Sequence, residues 1–271
     1  MSDVLPPLIE AIEKADSATV LSDAVQDLAD TGSFEAAPYL IEALSYNNPG
    51  AAVAAVDGLV KLGSPVVPRL LEQLDLNNYT ARSWAIRALA GIGDPRGLLT
   101  LLGAATADMS MSVRRAAARG LGQMKWYLFP PNLLDVAQTE ALDALLFIAQ
   151  EDEEWIVRYA AVVGLESLAL TTHTLNSPQR SQIFQQLDQM SAQESSAAVR
   201  ARVWRAQQFL QEAMPLVEPN SNAEYSLLSS TDWEQIMARL YNRKVRERSV
   251  FPEGDPRYFR EVLNASPISG I

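Results

Sequence analysis

The chain contains no cysteine and only one histidine, His173, and these shortages remove several kinds of chemistry at once. Without cysteine there are no disulfides, thiolate metal ligands, iron–sulfur centres or cysteine nucleophiles. One histidine does not make a multi-histidine metal site, and a Ser-His-Asp triad would depend on that residue alone. His173 lies in a polar segment, where an exposed loop is the simplest interpretation. We therefore predict no metal site and find little support for a hydrolase.

Long apolar runs and an excess of positive charge are also missing. No stretch approaches the roughly 18 apolar residues that a membrane span needs, and the start of the chain is acidic where a signal peptide would be basic. We therefore expect a cytoplasmic protein without a membrane span. The formal charge of −11 repels phosphate backbones and argues against a nucleic-acid partner. With 48% hydrophobic and 20% charged residues, the composition is that of a folded protein.

An internal repeat dominates the sequence. Six segments align without gaps and place Ala24, Ala55, Ala85, Ala117, Ala161 and Val203 at one equivalent position. Amphipathic stretches at 34–48, 64–78 and 94–108 lie between the first copies, so the unit is two helices joined by a short turn, about 30 residues long. This pattern predicts an all-α fold, a right-handed α-α superhelix of the HEAT type. Longer spacings late in the chain predict loops or lengthened first helices near 125–138 and 168–182.

Glycine and alanine recur on the second helix of each unit. Gly58, Ala88, Gly120 and Gly164 occupy one equivalent position, where small side chains allow neighbouring helices to approach closely. Gly32, Gly63 and Gly93 follow second helices, where a left-handed cap is expected.

The repeats end at about residue 211. Residues 212–230, with two prolines and several Ser and Asn residues, predict a linker, and residues 231–271 predict a C-terminal amphipathic helix and tail. Thr231 and Glu234 form a capping box at the start of that helix. Its remaining surface is basic, with Arg239, Arg243, Lys244, Arg246 and Arg248. The helix either docks on an acidic surface or serves as a terminal cap with solvated charges.

An arginine occupies the first turn of four successive second helices, where the helix dipole disfavours a cation. These residues are Arg82, Arg114, Arg158 and Arg200. Asp75, Asp108 and Asp152 lie in the neighbouring turns, so an Asp–Arg ladder joining the repeats is one interpretation. In the other, some of these arginines face a concave groove and bind carboxylates of a ligand.

Two aromatic residues depart from the repeat consensus. Trp84 replaces an alanine found in three other copies, and Tyr159 lies beside the equivalent site of a later copy. Each either fills a gap in the core or contacts a ligand. Further aromatics, Trp126, Tyr127, Phe129 and Trp155, either wall an apolar pocket or close the edge of the predicted insertion.

The repeats resemble those of the E/F-type phycobilin lyases, and among these the F-type subunit of phycocyanobilin lyase. The resemblance covers roughly residues 10–170 and is closest in 46–63, 79–96, 112–126 and 153–169. It implies a heterodimer with an E-type subunit that binds phycocyanobilin as a substrate, with no permanently bound cofactor. It also implies thioether attachment to a cysteine of a phycobiliprotein client, commonly the phycocyanin alpha subunit. The region beyond about 215 is longer than this resemblance leads us to expect.

A linear tetrapyrrole needs aromatic walls, cations for its two propionates and an acid for its pyrrole nitrogens. We expect ring contacts from Trp84 and Tyr159, and propionate contacts from Arg87, Arg114 and Arg158. Asp94 is the candidate acid, although an aspartate before Pro95 is equally an ordinary helix cap. Two alternatives remain: a non-catalytic HEAT adaptor in phycobilisome assembly, degradation or another pathway, and a stand-alone enzyme, for which no compact set of catalytic groups is visible.

Overall fold

The structure is a computed structural model that describes residues 4–72, 74, 78–171, 178–213, 235, 236, 238 and 239. Within these ranges every regular element is an α-helix or a short 3-10 helix, which confirms the all-α prediction. The chain divides into two units, Met1–Tyr225 and Ser226–Ile271. In the second unit the four described residues are helical. His173, Asp75, the predicted capping box and every basic residue of the C-terminal helix except Arg239 lie outside the described residues.

The helices of the first unit alternate between two layers. The first helices of the repeats are α1 Leu5–Glu13, α3 Ala37–Ala43, α5 Val67–Glu72, α7 Leu98–Ala107, α9 Pro131–Glu151 and α11 Pro178–Gln193. The second helices are α2 Ala18–Asp30, α4 Pro49–Leu62, α6 Tyr79–Ile92, α8 Met111–Gly122, α10 Trp155–Thr171 and α12 Ala197–Ala213. The six aligned sequence segments all fall on second helices, as predicted.

Short polar signals fix the ends of the second helices. Asn48 and Asn78 precede α4 and α6, and each side-chain oxygen accepts a hydrogen bond from a backbone N–H three residues later, at 3.1 Å. The Asn48 side chain also donates to the Ala18 carbonyl oxygen, at 2.7 Å, which ties the start of α4 to the start of α2. After α4 and α6, Gly63 and Gly93 have positive φ angles of 74° and 68°. Gly93, with ψ of 23°, has the left-handed conformation predicted for these caps, whereas Gly63, with ψ of −145°, does not.

Small residues bring successive second helices into close contact. Gly58 faces Ala29 of the preceding second helix, and a Cβ on Gly58 would lie 2.7 Å from the Cβ of Ala29. Gly120 faces Ala90 in the same way, with a corresponding distance of 2.6 Å. Each second helix packs along the next through the whole row, whereas the first helices pack less extensively on one another. We call the surface formed by this row of second helices the inner face of this unit.

The lengthened repeat predicted near 125–138 contains α9, a first helix of 21 residues. A 3-10 helix, Trp126–Leu128, precedes it. Trp126 and Phe129 are buried with their ring centroids 5.2 Å apart, so these two aromatics close the core beneath the insertion. Tyr127 and Trp155 are exposed.

Among the described residues, no single helix is long and apolar enough to cross a membrane. One bent pair, Pro49–Leu62 with Ser64–Glu72, reaches the required length and composition only when its two helices are taken together.

Candidate functional site

An arginine ladder runs along the edge where first helices turn into second helices. The Arg114 guanidinium donates through Nε and Nη2 to both carboxylate oxygens of Asp152, at 2.7 and 3.0 Å. Its Nη1 donates to the carbonyl oxygens of Asp108 and Met109 in the preceding turn, at 3.0 and 3.2 Å. Arg114 therefore clamps its own turn to the turn of the next repeat.

The same geometry recurs one repeat later. Arg158 donates to both carboxylate oxygens of Glu194, at 2.8 Å each, and to the carbonyl oxygens of Asp152 and Glu153, at 2.8 and 3.0 Å. Arg82 forms an ion pair with Asp108 at 3.3 Å, which extends the ladder by one repeat towards the N-terminus. The predicted Asp–Arg ladder is confirmed for Arg82 with Asp108 and Arg114 with Asp152, and the third pair uses Glu194, which the sequence did not single out. In each pair the arginine reaches the acid of the following turn.

The ladder leaves little capacity for a ligand at Arg114 and Arg158. Hydrogen bonds from Arg158 lower the pKa of Glu194, outweighing the effect of burial, and those to Glu194 raise the pKa of Arg158. Each guanidinium is held by a carboxylate on one side and by two carbonyls on the other. The structure therefore favours the structural interpretation of Arg114 and Arg158, and their binding of propionates stays a prediction.

Asp94 is a helix cap and is not suited to be an acid. It is 1% exposed and accepts hydrogen bonds from the Arg96 backbone N–H, Nε and Nη2, at 3.0, 2.8 and 2.8 Å. Burial raises the pKa of this carboxyl, but the hydrogen bonds and charge of Arg96 outweigh burial and lower it overall. The group is therefore ionised at neutral pH and has no proton to give. Of the two interpretations of Asp94, the structure supports the cap.

The inner face of α6 carries a different arrangement. The guanidinium carbon of Arg87 lies 4.4 Å from the centroid of the Trp84 ring, and both side chains are half-buried. Burial lowers the pKa of Arg87, and the positive charge of Arg115 on α8 lowers it further. Among the described residues, neither arginine forms an ion pair. This stretch of the inner face therefore joins an aromatic surface to two cations that lack a counter-ion.

Tyr159 lies on α10, one position before the equivalent of Trp84. Its side chain is 37% exposed, and the Arg202 guanidinium carbon lies 6.0 Å from its ring centroid. Unlike Arg87, Arg202 is neutralised by an ion pair with Glu166 at 2.8 Å. Because α8 stands between α6 and α10, Tyr159 and Trp84 are two separate aromatic positions along the inner face.

The interpretation of the sequence missed Arg115 and its neighbour Arg119. In the repeat alignment Arg115 is equivalent to Ser83, and Arg119 is equivalent to Arg87. Residues four apart share one side of a helix, so Arg115 and Arg119 lie on the same face of α8. The alignment of the repeats is sufficient to identify both arginines, since each occupies a position equivalent to one on α6.

No set of three or more His, Cys, Asp or Glu side chains among the described residues is placed to hold a metal ion.

Comparison with known proteins defines the class first. The family model of HEAT repeats matches residues 5–79 and 67–166, in agreement with the two layers of helices. Within that class, the chain is 54% identical over 276 residues to phycocyanobilin lyase subunit beta of Pseudanabaena tenuis (strain PCC 7409), with 98% of each chain covered. The chain belongs to the family of phycocyanobilin lyase beta subunits, and the resemblance seen in the repeats is confirmed.

Two further relatives agree with this assignment. The phycocyanin alpha phycocyanobilin lyase CpcF of Synechocystis sp. (strain ATCC 27184 / PCC 6803 / Kazusa) is 50% identical over 171 residues, covering 63% of this chain and 79% of that one. The solved complex of CpcE and CpcF of phycocyanin lyase from Nostoc sp. PCC7120 matches with a TM-score of 0.59 and 45% identity, covering 65% of this chain and 99% of that chain. The Pseudanabaena relative spans nearly the whole chain, so the long C-terminal region is shared with a curated relative.

Proposed function

We propose that this chain is one subunit of a heterodimeric phycocyanobilin lyase and that it acts together with an E-type HEAT subunit. The pair binds phycocyanobilin and attaches it through a thioether to a cysteine of a phycobiliprotein, with the phycocyanin alpha subunit as the client. The observation that carries the proposal is the match to a phycocyanobilin lyase subunit over 98% of both chains. The related CpcF is solved in complex with CpcE, which supports a two-subunit enzyme.

The bond-forming step is an addition. The client thiol adds across a carbon–carbon double bond of the tetrapyrrole, so that one carbon receives the sulfur and another receives the proton. Nothing leaves, and no oxidant or reductant is required. Because this chain has no cysteine, it cannot hold the tetrapyrrole through a thioether of its own, and phycocyanobilin is a substrate that passes to the client.

The inner face supplies the groups that a flat ligand with propionates needs. We assign the face of Trp84 to contact with a pyrrole ring and the Arg87 guanidinium to a propionate, since the two side chains already stack at 4.4 Å. Tyr159 offers a second ring contact on the same inner layer. The part of this subunit is therefore to bind, extend and orient the tetrapyrrole, while the client cysteine supplies the nucleophile.

Co-expression tests the proposal. The full chain is produced with an E-type subunit, a phycocyanobilin source and the apo form of the phycocyanin alpha subunit, and the client is then denatured. Zinc-induced fluorescence of the client band reports a covalently attached tetrapyrrole. We expect fluorescence only when both lyase subunits are present. A client that is bound by the pair but never becomes fluorescent would support the adaptor alternative in place of a lyase.

A further inference from the structure

We propose that Arg87 and Arg115 form a two-cation clamp on the inner face that binds the paired carboxylates of the ligand and makes the site selective for a free diacid. The inference rests on the function proposed above and deepens it. It assigns carboxylate binding to a pair of side chains from neighbouring helices, one of which the sequence did not single out.

Helix packing brings the two arginines to a similar level. Gly120 on α8 lies against Ala90 on α6, where a Cβ on Gly120 would be 2.6 Å from that of Ala90. Arg115 lies five residues before Gly120, and Arg87 lies three residues before Ala90. At about 1.5 Å per residue the two Cα atoms differ by roughly 3 Å along parallel axes, which is well within the reach of two arginine side chains. Burial is the main cause of the lowered pKa of Arg87, and the positive charge of Arg115 adds to it, as this short separation leads us to expect.

Burial without an acid sets Arg87 apart among the described second-helix arginines. Arg115, Arg119 and Arg205 also form no ion pair with a described acid, but these three are exposed, whereas Arg87 is half-buried. The chain has 33 acidic and 22 basic residues, and other arginines of its second helices, such as Arg114 and Arg202, are held by carboxylates at 2.7 and 2.8 Å. Among the described residues, Arg87 and Arg115 have no acidic partner, although Arg87 is half-buried. Two neighbouring cations without a counter-ion are unfavourable in the empty protein, and an anion that binds both relieves that repulsion.

The shape of the two guanidinium groups and the adjacent Trp84 ring favours a flat ligand that carries carboxylates. A guanidinium presents a planar fork that matches a carboxylate, and two forks match two carboxylates. The Trp84 ring beneath Arg87 provides a flat wall on the same face. A linear tetrapyrrole with two propionates satisfies both requirements, whereas its dimethyl ester keeps the rings and loses the charges.

The test compares phycocyanobilin with its dimethyl ester on the assembled lyase pair, with affinity measured by absorbance titration. We expect Arg87→Gln together with Arg115→Gln to weaken binding of the diacid by about 10- to 100-fold, in line with the loss of charge-assisted hydrogen bonds, and to leave ester binding unchanged. Arg87→Lys should recover part of the loss because it keeps the charge. Arg69→Gln is the matched control, because Arg69 also lies over an aromatic ring, Phe34 at 5.8 Å, but on a first helix.

Three results would overturn the clamp. The first is equal binding of diacid and ester by the unaltered pair, which would leave the proposed function intact. The second is an equal loss of affinity in the Arg69→Gln control. The third is weaker association of the two lyase subunits in the double variant with no change in diacid selectivity, which would mean that the carboxylates belong to the partner protein. Failure of the unaltered pair to bind phycocyanobilin at all would instead count against the proposed function. Circular dichroism melting confirms that each variant is folded.

Discussion

Gly122→Ala tests how tightly the inner layer is packed. A Cβ at Gly122 would lie 2.1 Å from the carbonyl oxygen of Gly164 and 2.4 Å from its Cα, so it meets the backbone of α10 and not the end of a flexible side chain. Normal contact needs more than 3 Å, so α8 and α10 have to separate by about 1 Å or more. Overpacking of this kind costs about 1–3 kcal/mol. The better helix propensity of alanine returns at most about 1 kcal/mol.

The expected result is a net loss of about 2 kcal/mol and a melting temperature lower by about 4–8 °C for a unit of this size. Gly103→Ala on α7 is the control, because nothing lies within 4 Å of a Cβ at that exposed position. The control should melt at the same temperature or slightly higher. Thermal melting followed by the helical circular dichroism signal measures both variants. A Gly122→Ala protein that melts with or above the control would refute the close helix contact.

Further predictions concern the ladder, the inner face and the C-terminal region. Arg158→Gln should lower the unfolding free energy by about 1–3 kcal/mol at pH 7. The pKa of Glu194 is lowered on folding, so this stabilisation is present above its ordinary value of 4.5 and is lost as pH falls through the folded value. In urea unfolding, the difference between variant and unaltered protein should therefore narrow as the pH falls below 4.5, and a constant difference would contradict the reasoning. Trp84→Ala should weaken phycocyanobilin binding by roughly 3- to 10-fold with a small change in melting temperature; a melting temperature that falls in step with affinity would make Trp84 a packing residue. Removal of residues 231–271 should leave melting of the repeats nearly unchanged and reduce partner affinity most at low salt. Unchanged affinity with a large drop in melting temperature would identify a structural cap.

The repeat was readable from the sequence because each unit obeys one local pattern. Asn48 and Asn78 mark the starts of second helices, and Gly63 and Gly93 mark their ends, so the helix borders follow from short-range chemistry. The small residues that recur at one position, such as Gly120, also predict which helices approach closely.

The site was less predictable because several of its features depend on contacts between repeats. The sequence shows that Arg114 and Arg158 lie in first turns, but only the packed structure shows that each reaches the acid of the following turn. Asp94 had two interpretations until its contacts with Arg96 were known. Arg115 became a candidate binding residue because it lies near Arg87. The two residues are 28 positions apart in the sequence and approach each other only when α6 and α8 pack together.

The most direct test of the account is a reconstituted transfer with purified components. The apo client, phycocyanobilin and this chain are incubated with and without the E-type subunit, and the intact mass of the client is measured. We expect a client heavier by one phycocyanobilin when both subunits are present, with no specific adduct when this chain is alone. Efficient adduct formation by the single chain would contradict the two-subunit lyase, and no adduct with any E-type subunit or phycobiliprotein client would contradict lyase function itself.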